Sequence, residues 1–451
     1  MRYSMSSDKI KRAASLLAAL CLFLFLPAVA QAQEPVPEPR LLTVTELFEQ
    51  GVRNSLELQT ARLSAGMASD RLKSARTAYL PAVDISLTEG YAGNPTVFRR
   101  GLKNASATDI PNWQHTYGIG FSQPLFTGGK IKYSVEKSEI EERIAALAVS
   151  QKQADVKLYL VTRYLELFNL YKERNVYNKN IEESERRLHD IRQMRKEGMI
   201  TRNDVIRSEL QLSNYRLSLR EVENDIVILS QELDIALGLD ETWVLAPDTA
   251  FLSGSPSLEP YEEYVRQAYE HYPEAGISRL DIALAEKNVF QVKAAYLPGL
   301  SFRAANTLGR PVTGVSPAQD LFMNNWNMAL VIDYSLSSLY GNKHKVNEAR
   351  RQVKINRTRE ELLKQRIRMN VKSAYVRHSE ALERINTLVI NVRQADENYR
   401  IVQNKYLNHL AILTDLLDAS SVRLDAELQL TSARTDAVYT YYRLLHETGN
   451  L

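Results

Sequence analysis

The spacing of apolar residues changes period at fixed places along the chain, and the same change happens twice. Residues 42–78 and 258–295 carry helix-like spacing. Each stretch runs into Tyr-Leu-Pro, at Tyr79-Leu80-Pro81 and Tyr296-Leu297-Pro298. Proline disfavours helix in the residue before it and has no N–H to donate, so both helices are predicted to stop there. Past each proline the period falls to two. Val83, Ile85 and Leu87 alternate with Asp84, Ser86 and Thr88, and Tyr117, Ile119 and Phe121 alternate with Gly118, Gly120 and Ser122. In the second copy Leu300 and Phe302 alternate with Ser301 and Arg303, and Met328, Leu330 and Ile332 with Ala329, Val331 and Asp333. This predicts strands at 82–90, 116–124, 299–305 and 327–336, each with one apolar and one small or polar face. Polar loops, 91–115 and 306–325, separate the members of each pair.

A third pattern follows each strand pair. Ile140, Ile144, Leu147, Gln151, Ala154, Leu158, Val161, Leu165 and Phe168 step by four and three. So do Val371, Ala374, His378, Ala381, Ile385, Leu388, Val392, Ala395, Tyr399, Val402 and Tyr406. A return stretch repeats every seven as Val205, Leu212, Leu219, Ile226 and Leu233. Sustained seams of this kind predict coiled-coil helices, here ~100 Å long at 1.5 Å per residue. Each long helix is expected to reverse once, at 196–201 and at 406–411. Gly198 suits a C-terminal cap, and Thr201 with Asp204 reads as a helix start.

Further markers repeat. A Trp (Trp113, Trp326) follows each Tyr-Leu-Pro copy, and a Gly-x-Lys ending at Lys130 or Lys343 follows each Trp at the same distance. A repeat of about 200 residues is too long for a solenoid unit, so the chain is a duplicated half-molecule. The predicted organisation is a first repeat over 42–239, a linker over 240–259 and a second repeat over 260–451. Each repeat comprises a helix, a strand pair and a long helical hairpin.

Composition changes this picture mainly at the N-terminus. Residues 1–32 read as a secretory signal, with Arg2, Lys9, Lys11 and Arg12 before an apolar run and Ala30-Gln31-Ala32 as the cleavage site. Residues 33–41 form a proline-rich, extended lead-in. The chain carries a formal charge of +3, and the signal accounts for all of it. No basic footprint for nucleic acid remains. The single cysteine, Cys21, lies inside the signal's apolar run, so the mature chain is predicted to rely on packing without disulfides. No later segment suits a transmembrane helix. The seven histidines show no ligand spacing, and no phosphate loop or nucleophile motif is present. The reading is a non-enzyme without metal or cofactor, with His378 as a core histidine.

Four strands cannot stand alone in a bilayer, because their edges would leave backbone groups unpaired in hydrocarbon. Other copies must complete the barrel: two give eight strands, whose interior tends to fill with side chains, and three give twelve, enough for an open lumen. The duplicated half, the Tyr-Leu-Pro turns, Gln123-Pro124-Leu125-Phe126-Thr127-Gly128-Gly129-Lys130, and Ile412-Leu413-Thr414-Asp415-Leu416-Leu417-Asp418-Ala419 together resemble the TolC family of outer-membrane efflux channels. The second repeat departs from the family pattern where Leu336–Lys343 replaces the usual Pro-Leu-Phe-Asp-Gly-Gly.

The resemblance implies a mainly α fold with membrane β structure. It implies a homotrimer with a twelve-stranded barrel in outer-membrane lipid and a periplasmic α-barrel. It implies passive transport as the exit duct of a tripartite efflux or type I secretion system in a Gram-negative bacterium. The partners implied are a periplasmic adaptor and an inner-membrane pump of RND or ABC type, with no nucleic acid. By the same resemblance Asp415 and Asp418 narrow the pore, and Asp204 and Tyr406 belong to a network that holds the tip shut. The family's network arginine falls at Ala411. Gly198, Met199, Ile200, Leu410, Ala411 and Ile412, at the turns, are candidates for adaptor contact. The competing reading is a secreted coiled-coil scaffold or adhesin stalk without channel activity. An adaptor protein is a third, opposed by the duplicated strand pairs.

Overall fold

A computed structural model describes residues 39–248, 258–315 and 318–451. The signal segment, Cys21 and most of the lead-in lie outside the described residues. Each repeat begins with two helices rather than one. In the first they are α1 (Val44–Asn54) and α2 (Leu56–Thr77). Ser55, in extended backbone, ends α1, and its Oγ accepts the N–H of Leu58 at 3.2 Å to start α2. The single helix predicted over 42–78 is thus interrupted by a serine cap, which gives the backbone a bond outside the helix. In the second repeat the helices are α5 (Tyr261–His271) and α6 (Pro273–Lys293), broken at Tyr272. There the cause is Pro273, which occupies the first helical turn and forces the residue before it out of helix.

Four strands form one antiparallel sheet in the order β2 (Ala82–Tyr91), β5 (Trp113–Phe126), β7 (Gly299–Arg310), β8 (Met323–Asp333). The inner partners, β5 and β7, come from different repeats, so the two halves share one sheet. β7 and β8 run further into their loop than the alternation predicted, holding register to Gly309 opposite Met323. β8 stops at Asp333, three residues short of the predicted end, where the turn leading into the next helix begins. The loop 91–115 holds a hairpin that the pattern did not reveal, β3 (Thr96–Arg100) with β4 (Lys103–Ala107). Gly101 at φ +58° makes its tight turn.

The register sorts residues by face. Val83 pairs with Phe121 and Ile85 with Ile119. Phe121 pairs onward with Ala304, and Ala304 with Met328. Val83, Ile85, Ile119, Met328, Leu330 and Ile332 on this face are all exposed in the single protomer. The opposite face carries Ser86, Gly118 and Thr307 in one row and Gly120, Ala305 and Asn327 in the next. Its Arg303 and Asp333 pair at 3.1 Å. Tyr91 and Trp113 stack edge to face at the loop end of the apolar face.

From this sheet run two helical hairpins. The first is α3 (Lys130–Lys196, 67 residues) with α4 (Arg202–Leu237, 36 residues). The second is α7 (Ser338–Leu407, 70 residues) with α8 (Leu413–Thr448, 36 residues). Of the seam predicted for α7, Val371, Ala374, His378, Ala381, Leu388, Ala395, Tyr399 and Tyr406 are buried. His378 meets Thr440 Oγ1 at 3.0 Å, and burial lowers its pKa. No described helix is long and apolar enough to cross a membrane.

The two ends of the first repeat are tied together midway along the helices. β1 (Arg40–Leu42) pairs in parallel with β6 (Leu245–Pro247) from the segment between the repeats. Leu42, Leu47, Leu160, Tyr164, Leu233, Leu237 and Leu245 pack beneath them as one core. At the sheet end, Gly128 (φ +62°) enters α3 against the other repeat. A Cβ there would sit 2.8 Å from Ala294 O and from Leu297 Cβ.

Candidate functional site: the hairpin tip

Both hairpins reverse through the same turn. In the first, Gly198 takes φ +77° and Met199 N donates to Met194 O at 2.9 Å. In the second, His409 takes φ +61° and Leu410 N donates to Lys405 O at 2.8 Å. This is the 6→1 closure that ends helices on a left-handed residue, and glycine suits it best. Met199, Leu410 and Ile412 are left exposed, as is Gly198. Ile200 and Ala411 turn back onto an apolar cluster that includes Leu188, Ile191, Val205, Leu212, Tyr406, Leu413 and Leu416. The six turn residues therefore divide into an outward and an inward set.

The acidic residues divide as well. Asp204 and Asp415 occupy the same position, three residues past the N-cap of their return helices. Asp204 Oδ2 accepts the N–H of Thr201 at 2.9 Å and its hydroxyl at 2.7 Å. Asp415 Oδ2 accepts the N–H of Ile412 at 3.3 Å. Both carboxylates thus serve caps, which leaves fewer lone pairs for other partners. Asp418, one turn further on, is exposed and makes no ion pair or hydrogen bond among the described residues.

Tyr406 is buried, and its hydroxyl has no hydrogen-bond partner among the described residues. Burial first, and then the charge of Asp204, raises its pKa, while Arg187 opposes this. No hydrogen bond joins Tyr406 to Asp204.

Where Ala411 offers no cation, the structure supplies others that the sequence reading did not single out. Arg207 on α4 donates to Thr414 Oγ1 on α8. Deeper in, Arg423 on α8 is 6% exposed and pairs with Glu183 of α3. Its guanidinium lies 4.1 Å over the Tyr399 ring and 3.4 Å from Asn180 Oδ1. Arg187 of α3 donates to Ser184 Oγ at 2.8 Å and reaches the Tyr399 hydroxyl at 3.5 Å. A signal was present in the chain. On α8 the buried positions Leu413, Leu416, Ser420 and Arg423 step by three and four, so Arg423 is a charge on a seam.

The comparisons with known proteins bear on this whole arrangement. The family described as outer membrane efflux protein matches residues 47–239 and 265–450, the two repeats separately. TolC of Escherichia coli (strain K12) is 24% identical over 230 residues, 50% of this chain and 45% of that protein. TolC of Salmonella enteritidis is 28% identical over 97 residues, or 21% of this chain and 19% of its own. The chain thus aligns with less than half the length of these relatives. Among solved structures, VceC of Vibrio cholerae superposes with a TM-score of 0.72 at 15% identity, covering 90% of this chain and 96% of its own. CusC gives 0.76 at 13% identity, with 90% and 92% covered. The open-state outer membrane channel MtrE of Neisseria gonorrhoeae gives 0.69 at 16% identity, with 90% and 88% covered. At these identities the likeness shows a common fold. Because the family match takes in both repeats, sheet and hairpins together, this chain belongs to the outer membrane efflux proteins.

Proposed function

We propose that the chain is the exit duct of a tripartite efflux or type I secretion system, a passive homotrimeric channel that catalyses no reaction. The observation that carries this reading is the sheet. Its outer strands, β2 and β8, each have a free edge in the protomer, and one face is exposed and apolar while the other is small and polar. Unpaired strand edges are not tolerated in hydrocarbon, so the sheet must continue into other copies. Three copies supply about twelve strands, with the apolar face toward lipid and the Gly, Ala, Ser and Thr rows around a lumen. The hairpins then project into the periplasm as a second tube.

At its tip, three copies of Asp418, with Asp415 beside them, form the negative constriction. Three carboxylates around a narrow axis attract cations and repel one another. Tyr406, whose hydroxyl lacks a partner among the described residues, and Asp204 contribute to contacts that close the tip between neighbours. The exposed set Gly198, Met199, Leu410 and Ile412 receives a periplasmic adaptor, and an RND or ABC pump supplies the cargo. Ile200 and Ala411 support that surface from behind.

The test is conductance of the purified, detergent-extracted protein in a planar bilayer, with its mass measured in parallel. A trimer giving stepwise conductance is expected. A soluble, non-conducting rod would restore the scaffold reading. Asp415→Ala with Asp418→Ala is expected to weaken cation preference several-fold, measured as a reversal-potential shift in a salt gradient. An unchanged reversal potential would place both side chains away from the lumen.

A further inference from the structure

We infer that Arg423, well behind the turn on α8, is the cation that fastens the two hairpins of one protomer together and so holds the tip in its resting arrangement. This rests on the channel reading above. Arg423 lies ~15 Å along α8 from its first residue, at 1.5 Å per residue. It occupies a seam position where coiled-coil packing calls for an apolar side chain. A buried guanidinium there is costly unless its partners are in place. The partners present come from two other helices. Glu183 and Asn180 belong to α3, in the opposite hairpin. Tyr399, under the guanidinium plane, and Asp396, at 3.8 Å, belong to α7.

A second set of bonds crosses the hairpins at the same level. Arg187 of α3 reaches the Tyr399 hydroxyl at 3.5 Å. Gln211 of α4 donates to Leu417 O at 3.4 Å and to Ser421 Oγ at 3.3 Å on α8. All four long helices meet at this node.

The node differs in kind from what lies nearer the tip. There the hairpins meet through Ile191, Val205, Tyr406, Leu413 and Leu416. Apolar contact is non-directional and tolerates sliding. Charge-assisted bonds from a planar guanidinium hold one geometry. Movement of one hairpin past the other would take Glu183 and Asn180 away from the buried Arg423 and leave it Asp396, at 3.8 Å, and the Tyr399 ring, so the node favours the arrangement seen. The tip itself offers less within a protomer. Asp204 is taken up by its cap, and Arg207 with Thr414 is an exposed contact. Exposed polar pairs of this kind contribute little.

The experiment is resting conductance of the full trimer in a planar bilayer, with mass and thermal melting recorded on the same preparations. Arg423→Met is expected to raise the open fraction about tenfold, the factor given by ~1.4 kcal/mol of lost closed-state preference. The trimer mass and helix content should be unchanged. Arg423→Lys, which keeps the charge but not the fork, should fall between the two. If Arg423→Met does not assemble, the double variant Arg423→Met with Glu183→Met carries the same expectation, since it leaves no unpaired buried charge. Wild-type conductance from an assembled Met variant would overturn the inference while leaving the channel reading intact. A wild-type trimer that never conducts would overturn both.

Discussion

Asp234 shows how much a single side chain can set the pH response of this molecule. It lies near the end of α4, fully buried, and neither carboxylate oxygen has a hydrogen-bond partner among the described residues. Burial raises its pKa from 3.8 to about 6, against the opposing charge of Arg40. The folded form therefore holds the proton that the unfolded form releases at lower pH. Stability from this residue is present below about pH 4 and is lost as pH rises through about 6. Asp234→Asn, neutral at every pH, should remove that decline. It is expected to raise stability at pH 7–8 by about 1–3 kcal/mol, the cost of ionising a carboxyl whose pKa burial has raised from 3.8 to about 6. Urea unfolding of both proteins at pH 5 and pH 8 checks this, and a gain equal at the two pH values would show that Asp234 is not the titrating group. Nothing in the alternation of the chain marks Asp234 out. It is one acidic residue on a helix rich in them, and its burial depends on β1 and β6 closing over α4 from distant parts of the sequence.

At the scale of elements, duplication allows one half to act as a control for the other. The two tip turns share hydrogen bonds but differ in their residues. Thr201 in the first caps its helix through Oγ1, while Ile412 in the second has only its backbone to offer. Ile412→Thr should complete the cap and stabilise the start of α8 by about 0.5–1 kcal/mol, the range measured for such caps. Slower amide hydrogen exchange over residues 413–416 is the expected readout. His409 holds a left-handed conformation that its counterpart Gly198 adopts without a Cβ. His409→Gly should relieve about 1 kcal/mol of that strain. If exchange at the second turn is unmoved, the turn's conformation is fixed from outside the protomer. Much at this scale was legible in the sequence. The Tyr-Leu-Pro stops, the four alternating segments and the seams of α4 and α7 are local patterns, and the residues that carry them are contiguous. The break at Pro273 has a local signature too, although the sequence reading ran the helix through it. The β1–β6 pair does not. Two three-residue strands, separated by the whole first repeat, carry too little pattern to be seen before they are packed. Arg423 lay between these cases, visible as a charge on a seam but readable only once Glu183 and Tyr399 were known to face it.

The whole molecule leaves a second seam uncovered, and this carries the last prediction. Along α7, Ile355, Leu362, Met369 and Val376 recur every seven residues, and Ile390 resumes the row after Glu383. All five are exposed, at 45–65%. A heptad row on a long helix faces another helix or stays exposed at a cost, and no helix among the described residues of the protomer covers it. On α4, Leu210, Leu217, Val227, Ile228 and Ile235 are exposed as well, at 56–61%. Val376 and Ile235 stand at matching heights, each roughly 30 residues from its turn, or ~45 Å at helical rise. If α7 of one copy meets α4 of the next, the contact is heterologous, and three such contacts close a ring. The same ring lets the free edge of β2 meet the free edge of β8 in the neighbouring copy, so sheet and helices require one symmetry. Met369→Lys with Val376→Lys places two charges in that contact while leaving the protomer's own seam, Val371 and Ala374, untouched. The expected outcome is a protein with wild-type far-ultraviolet circular dichroism that runs as a monomer in detergent by mass photometry. Adding Ile235→Glu, at the height of Val376, should restore part of the trimer by giving the lysine at 376 a partner. A trimer that withstands both lysines would mean that the α7 row lies along the lumen or the outer wall, and that the copies meet through other faces.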